Sequence, residues 1–294
     1  MIHHKRILVA LSFLDGLDAP FERALALAKA SGAELYLLHA VSANERFSYR
    51  AAERRRRSAE LRERAQAAGV NAVAVEQHGD PAEIIVLHAD ARPVDLIVMG
   101  TGRRSAWARL RERSVAERVL RRTKRPTLVV SSDDTGNGGA FENVLVAVDL
   151  SPASGALVDT AARFSDGARR QLTLVHAVDN FDTAVAAHNR AGSVFPESSG
   201  YVLEAARQQL ASVMPSHVGI ELHVAAGPAA ETIRAHAEDM NADLIVMGRS
   251  KRFMHLGSTA VRVLRNADRA LLVVPAAMPA HISDIEPPVH ARAA

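Results

Sequence analysis

One hexapeptide occurs twice: residues 95–100 and residues 243–248 both read DLIVMG. Other pieces recur in the same order. ILVA at 7–10 matches VLVA at 144–147, and LLHAV at 37–41 matches LVHAV at 174–178. GDPAEII at 79–85 matches GPAAETI at 227–233, SVAERVL at 114–120 matches STAVRVL at 258–264, and 128–130 matches 272–274. The offset is 137 at the first piece, 148 at DLIVMG and 144 at the last amphipathic stretch. The second copy therefore carries 11 extra residues before its Gly227 loop and four fewer after Gly248. A spacing this long marks a duplicated domain and exceeds any solenoid unit. The 294 residues give each copy enough chain for its own core.

Within each copy, short β-branched runs (ILVAL, ELYLLHAV, AVAVEQ, DLIVMG, TLVV) alternate with amphipathic stretches. Most runs lack a two-residue period, as strands buried on both faces of a parallel sheet do. The stretch 21–30 follows Asp18 and Pro20, which read as a cap and first turn; in the second copy Ser151 and Pro152 read as N-cap and first helical residue. Strand–helix alternation with short connections predicts an α/β fold of two doubly wound domains, each with a five-stranded parallel sheet flanked by helices. Ligands on such sheets bind beyond the carboxyl ends of the strands. The predicted boundaries are 1–131 and 142–276 for the domains, 132–141 for a polar, glycine-rich linker and 277–294 for a flexible, proline-rich tail.

Composition removes several function classes. There is no cysteine, hence no disulfide, thiolate metal site or cysteine nucleophile. Aromatic residues make up 4%, too few for a base-stacking nucleic-acid platform. No apolar run is long enough for a membrane span and no leader is read at MIHHKRILVAL, so a cytoplasmic address is expected. No P-loop sequence occurs, Gly100-Thr101-Gly102 follows the wrong strand for a dinucleotide fingerprint, and Gly248-Arg249-Ser250 lacks the closing glycine of a nucleophile elbow. The run Arg54 to Arg57 reads as a solvated helix face, with Glu53–Arg57 and Glu60–Arg64 pairs, a buried stripe of Leu61, Ala65 and Ala68, and Gly69 beyond its end. Arg121, Arg122, Lys124 and Arg125 suit a helix C-terminus. His39 and His176, at matching strand ends, read as structural.

The pieces, in this order and found twice, resemble the universal stress protein family. They cover both halves apart from linker and tail. The resemblance implies a UspA-like tandem of Rossmann-like, adenine nucleotide alpha hydrolase-like domains, paired through their last strands as an intramolecular pseudo-dimer, with a homodimer as a further form. It implies a cytoplasmic stress-response regulator without membrane or nucleic-acid partners. Some members bind ATP through G-x2-G-x9-G-[ST] and an aspartate ending the first strand. Glycines let backbone amides reach phosphate, the Ser or Thr opens a helix favourable to anions, and the aspartate accepts from ribose or base.

Carried onto the second copy, the pattern names Ala147, Val148 and Asp149, then Val178, Met247 and Gly248, then Gly257, Ser258 and Thr259. The implied ligand is ATP or another adenine nucleotide, with Mg2+ beside its phosphates. Lys251 stands at the second glycine position, and Arg249, Lys251 and Arg252 offer charge to a phosphate. The same residues admit another reading: Asp149 caps the Ser151-Pro152 turn and Gly257 permits a tight helix start. The first copy has Ser12 for the aspartate and keeps Gly100 and Ser114, but Arg103 and Arg113 replace the other glycines. Its site reads as degenerate, or as one where arginines replace backbone donors. No positioned base or nucleophile is read, so ATP hydrolysis is expected to be very slow at most. Two alternatives stay open: a slow nucleotide hydrolase, and a ligand-free scaffold for protein or RNA.

Overall fold

The apolar runs become strands and the amphipathic stretches become helices. The structure, a computed structural model, describes residues 5–12, 18–41, 51–101, 114–131, 141–151, 153–164, 171–179, 198–212, 220–249, 256–266 and 269–275. The first copy comprises β1 (Arg6–Leu11), α1 (Ala19–Ser31), β2 (Glu34–Val41), α2 (Ala51–Ala67), β3 (Ala72–His78), α3 (Pro81–Ala91), β4 (Leu96–Gly100), α4 (Val115–Arg122) and β5 (Thr127–Val130). The second comprises β6 (Asn143–Ala147), α5 (Ser154–Phe164), β7 (Gln171–Val178), α6 (Ser198–Ala211), β8 (Ile220–Ala226), α7 (Ala229–Asp239), β9 (Leu244–Arg249), α8 (Ser258–Asn266) and β10 (Ala270–Pro275). The tail 277–294 and residues 132–140 of the predicted linker lie outside the described residues.

All strands join one ten-stranded sheet, in the order β3-β2-β1-β4-β5-β10-β9-β6-β7-β8. Within each half the pairings are parallel, which confirms two doubly wound five-stranded units. The halves meet where β5 and β10 pair antiparallel, with Leu272 opposite Leu128. Successive strand residues feed opposite cores. Ile7, Val9, Val144 and Val146 join the core with α1, α2, α5 and α6, while Leu8 and Leu145 join that with α3, α4, α7 and α8. Burial on both faces is why the runs show no polar alternation.

The aspartate of DLIVMG clips the first strand of its own copy. Asp95 Oδ2 accepts the amides of Lys5 at 2.7 Å and Arg6 at 3.0 Å. Asp243 accepts those of Glu142 at 2.7 Å and Asn143 at 3.0 Å. Burial pushes the Asp243 carboxyl up, and these amides pull it back. Just before them, Phe141 is fully buried, with the Arg23 guanidinium 4.3 Å from its ring centre.

Several local expectations are corrected. Asp18 precedes α1 but makes no capping bond; its carboxylate takes Arg57 at 2.5 Å and Arg64 at 2.8 Å from α2. Arg64 also binds Glu22, and Arg57 binds Glu60 one residue short of the predicted spacing. The basic run is therefore partly an interhelical face: α2 lays its arginines on the acidic start of α1. Arg54 is only 5% exposed and pairs with Glu76 of β3 at 3.5 Å. Leu61 and Ala65 are buried as predicted, and Gly69 follows α2 with φ +78°. Helix α5 starts at Ser154, whose amide donates to Ser151 O at 2.9 Å, so Ser151 is not its N-cap; Pro152 lies outside the described residues.

The matching loops start their helices differently. Gly79 and Gly227 both need glycine, at φ +149° and +130°. Asp80 then caps α3, accepting the Glu83 amide at 3.1 Å and Arg118 at 2.5 Å. In the second copy Pro228 stands there, and Asp179 at the end of β7 accepts the Ala229 amide at 3.0 Å instead. The Arg118 hydrogen bond, ahead of the Glu83 amide, holds the Asp80 carboxyl below its usual range. A folded-state pKa below the unfolded one contributes stability above the unfolded value and loses it as pH falls through the folded value. Asp80→Ala is accordingly expected to cost about 1 kcal/mol at pH 7. In urea titrations the gap from wild type should close as pH falls below about 3.9; a gap independent of pH would contradict this.

Candidate functional site

The carboxyl ends of β6, β7 and β9 come together in the second copy. Val148 is 6% exposed and extends the ladder past β6, its amide donating to Val175 O at 3.0 Å. Asp149 is exposed beyond it. Leu150 then takes a left-handed φ of +58°, costly for a branched side chain, and turns the chain toward α5. Asp149 Oδ1 accepts the Ser151 amide at 3.0 Å and the Ser154 hydroxyl at 3.4 Å. Asp149 thus caps the turn with one oxygen. Its Oδ2 has no hydrogen-bond partner among the described residues.

His176 Nδ1 lies 2.8 Å from Val148 O, and His39 Nδ1 lies 3.1 Å from Leu11 O in the first copy. A carbonyl only accepts, so Nδ1 carries the hydrogen in both rings. Each histidine ties the end of the second strand to that of the first, the structural role expected of the duplicated pair.

His176 and Val178 project from β7 into an open cavity of about 450 Å³, closed by Leu150 and by Tyr201, Val202 and Gln209 of α6. Of the residues named from sequence, Val178 is on this wall. The others lie along the same carboxyl edge: Ala147 half-buried at the end of β6, Met247 buried, Gly248 and Ser258 exposed, Gly257 and Thr259 half-buried. The α6 residues were missed because their place on the wall depends on how that helix packs, which no motif encodes.

Among the described residues nothing requires either edge glycine. A Cβ on Gly248 would sit 3.7 Å from Leu157 Cδ2, an ordinary contact, and one on Gly257 would meet none of the described residues within 4 Å. Neither has the left-handed φ that Gly79 and Gly227 require. Helix α8 begins at Ser258, with the Val261 amide on Gly257 O at 3.1 Å.

The first copy is built differently. Ser12 is exposed after β1 and Gly100 ends β4. Ser114 is the N-cap of α4, its hydroxyl accepting the Glu117 amide at 3.1 Å. Arg103 and Arg113 lie outside the described residues, as do Lys251 and Arg252.

Arg249 does not fit the charge-donor role read for it. Its Nη1 donates across to the first copy, to Leu120 O at 3.1 Å, Arg121 O at 3.3 Å and Thr123 O at 2.8 Å. Burial pulls its pKa down from the usual arginine value. Among the described residues no group of three His, Asp or Glu side chains could hold a metal ion, and no helix is long and apolar enough to cross a membrane.

A family model for the universal stress protein family matches residues 3–131 and again 140–275. Universal stress protein A homolog 2 of Coxiella burnetii is 33% identical over 141 residues, which is 46% of this chain and 94% of that protein. The crystal structure of a universal stress protein from Archaeoglobus fulgidus superposes with a TM-score of 0.68 at 21% identity, covering 92% of this chain and 96% of that one. A functionally unknown protein of Pseudomonas aeruginosa PAO1 superposes with a TM-score of 0.66 at 22% identity, covering 92% of both chains.

Proposed function

Since the chain belongs to the universal stress protein family, as a tandem of two family domains, we propose that it is a cytoplasmic stress-response regulator that binds an adenine nucleotide, with ATP the first candidate, in its second domain. The domains on this reading are 1–131 and 142–276. The observation that carries the reading is the pair Gly248 and Gly257 on the carboxyl edge, where the described residues leave room for a side chain. A phosphate approaching backbone amides is what such positions suit, and the start of α8 at Ser258 adds a favourable dipole. Asp149, with one oxygen on the turn and the other without a hydrogen-bond partner among the described residues, fits a ribose or base contact. Mg2+ would arrive with the phosphates, since no described cluster of side chains holds a metal by itself.

The role is binding and not turnover. Fast hydrolysis needs charge stabilisation and an oriented water at the terminal phosphate. Of the three cations read from sequence, Arg249 is committed to the first copy. The second reading, a ligand-free scaffold, is favoured by one fact: the Asp149 carboxylate already has a structural task.

Calorimetric titration with ATP decides between them. Asp149→Ala is expected to weaken binding tenfold or more, as loss of a charged hydrogen bond costs about 1.5–3 kcal/mol. Ser12→Ala should leave affinity within about twofold, well inside that loss. Equal losses would contradict the assignment to the second copy alone, and a larger loss in Ser12→Ala would move the site to the first copy. A wild-type chain that binds no adenine nucleotide would support the scaffold.

A further inference from the structure

Helix α4 of the first copy is gripped by two arginines of the second. Arg249 Nη1 reaches three carbonyls at its C-terminal end, those of Leu120, Arg121 and Thr123, at 3.1, 3.3 and 2.8 Å. Such carbonyls lack the next turn's amides and carry the negative end of the helix dipole, so a cation suits them. Arg265, in the last turn of α8, places Nη2 3.2 Å from Glu117 Oε2, while Arg121 holds Glu117 Oε1 at 2.9 Å. Glu117 is 2% exposed, so this is a buried anchor.

The two arginines flank the segment that matters for a ligand. Arg249 directly follows Gly248, and Arg265 belongs to the helix that opens at Ser258. Among the described residues the first copy has no equivalent arm. Thr101 stands at the position matching Arg249, its amide on Val130 O at 3.1 Å, and Val261 stands where Glu117 would recur. The arm thus belongs to the copy that keeps Asp149 and Gly257-Ser258, and it fastens to the copy that does not.

We propose that Arg249 is a positioning residue for the nucleotide site of the second copy, acting through helix α4 of the first. It fixes Gly248, at the carboxyl edge, to the neighbouring copy, so a nucleotide seated there also tightens the turn between α4 and β5. This rests on the nucleotide reading above. All three contacts come from Nη1, whose N–H groups are held in the guanidinium plane, whereas an ammonium rotates freely on a flexible stem. Coupling of this kind is reciprocal: whatever α4 lends to nucleotide affinity, the nucleotide returns as stability of α4.

Hydrogen exchange followed by mass spectrometry on the full chain, with and without saturating ATP, is the test. In wild type, ATP should slow exchange across residues 115–127 of the first copy. Arg249→Ala should bind ATP about tenfold more weakly, within the usual range for such couplings, and at saturation show no slowing across 115–127. Arg249→Lys keeps the charge without the planar group and should fall between, which keeps the test open should the alanine variant fold poorly. ATP binding by wild type without slowing across 115–127, or equal slowing in wild type and Arg249→Ala, overturns this inference alone. A wild-type chain that binds no adenine nucleotide overturns it together with the reading it rests on.

Discussion

Leu272→Asp is expected to leave no folded protein at 25 °C. Leu272 is fully buried in the middle of β10, opposite Leu128 on β5 and beside Val246 on β9. Its side chain faces the core shared by both copies, with Leu128 and Val146. Removing a buried leucine side chain costs about 2–5 kcal/mol by itself, and burying a carboxylate without a cation adds several more. Together they reach the roughly 5–15 kcal/mol range by which a folded chain is stable. Because β10 joins the two halves, the damage should not stay in the second copy. Far-UV circular dichroism and gel filtration would show it. A monodisperse variant melting within a few degrees of wild type would mean that the central junction is not a structural requirement. Leu272→Ala gives the measurable version, with an expected loss of about 2–5 kcal/mol in urea.

The next largest effect should come from the buried carboxylate of Glu117. Arg265→Ala alone removes a half-exposed partner and should cost no more than about 1 kcal/mol. Combined with Arg121→Ala, it strips a 2% exposed carboxylate of both these cations, and the expected cost rises to about 3–5 kcal/mol. Adding Glu117→Gln should recover most of it, because the charge that needed partners is gone. Urea denaturation of the single, double and triple variants reads this directly. Small, additive losses with no recovery in the triple variant would show that the carboxylate is not the source.

The strands and their layering could be read from sequence because burial on both faces leaves an unbroken apolar run, as DLIVMG and TLVV show. The junction could be read too, since two short apolar last strands needed a partner and found each other. Long-range charge pairing could not. Asp18 looks like a helix cap by position, yet its destination depends on where α2 packs, and that packing is a property of three dimensions. The same limit hid the contact from Arg249 to α4, a separation of more than a hundred residues with no periodic trace. Asp179 shows the converse: its cap on α7 compensates for Pro228, a local change whose remedy comes from a different strand. At the candidate site, Asp149 and the α8 start were named through the family resemblance. The wall formed by Tyr201, Val202 and Gln209 was not, because helix α6 carries no signature of the strand ends it covers.

The antiparallel seam between β5 and β10 makes the two halves run in opposite directions across one continuous sheet. The carboxyl ends of one half therefore share a rim with the amino ends of the other. Each rim of the molecule is a composite, and the one that displays the second copy's pocket also displays the α4–β5 turn of the first. Any protein that docks on that rim meets both halves at once, and the opposite rim faces away from it. Duplication within one chain has in this way given the molecule two unlike ends, each free to be recognised by a different neighbour.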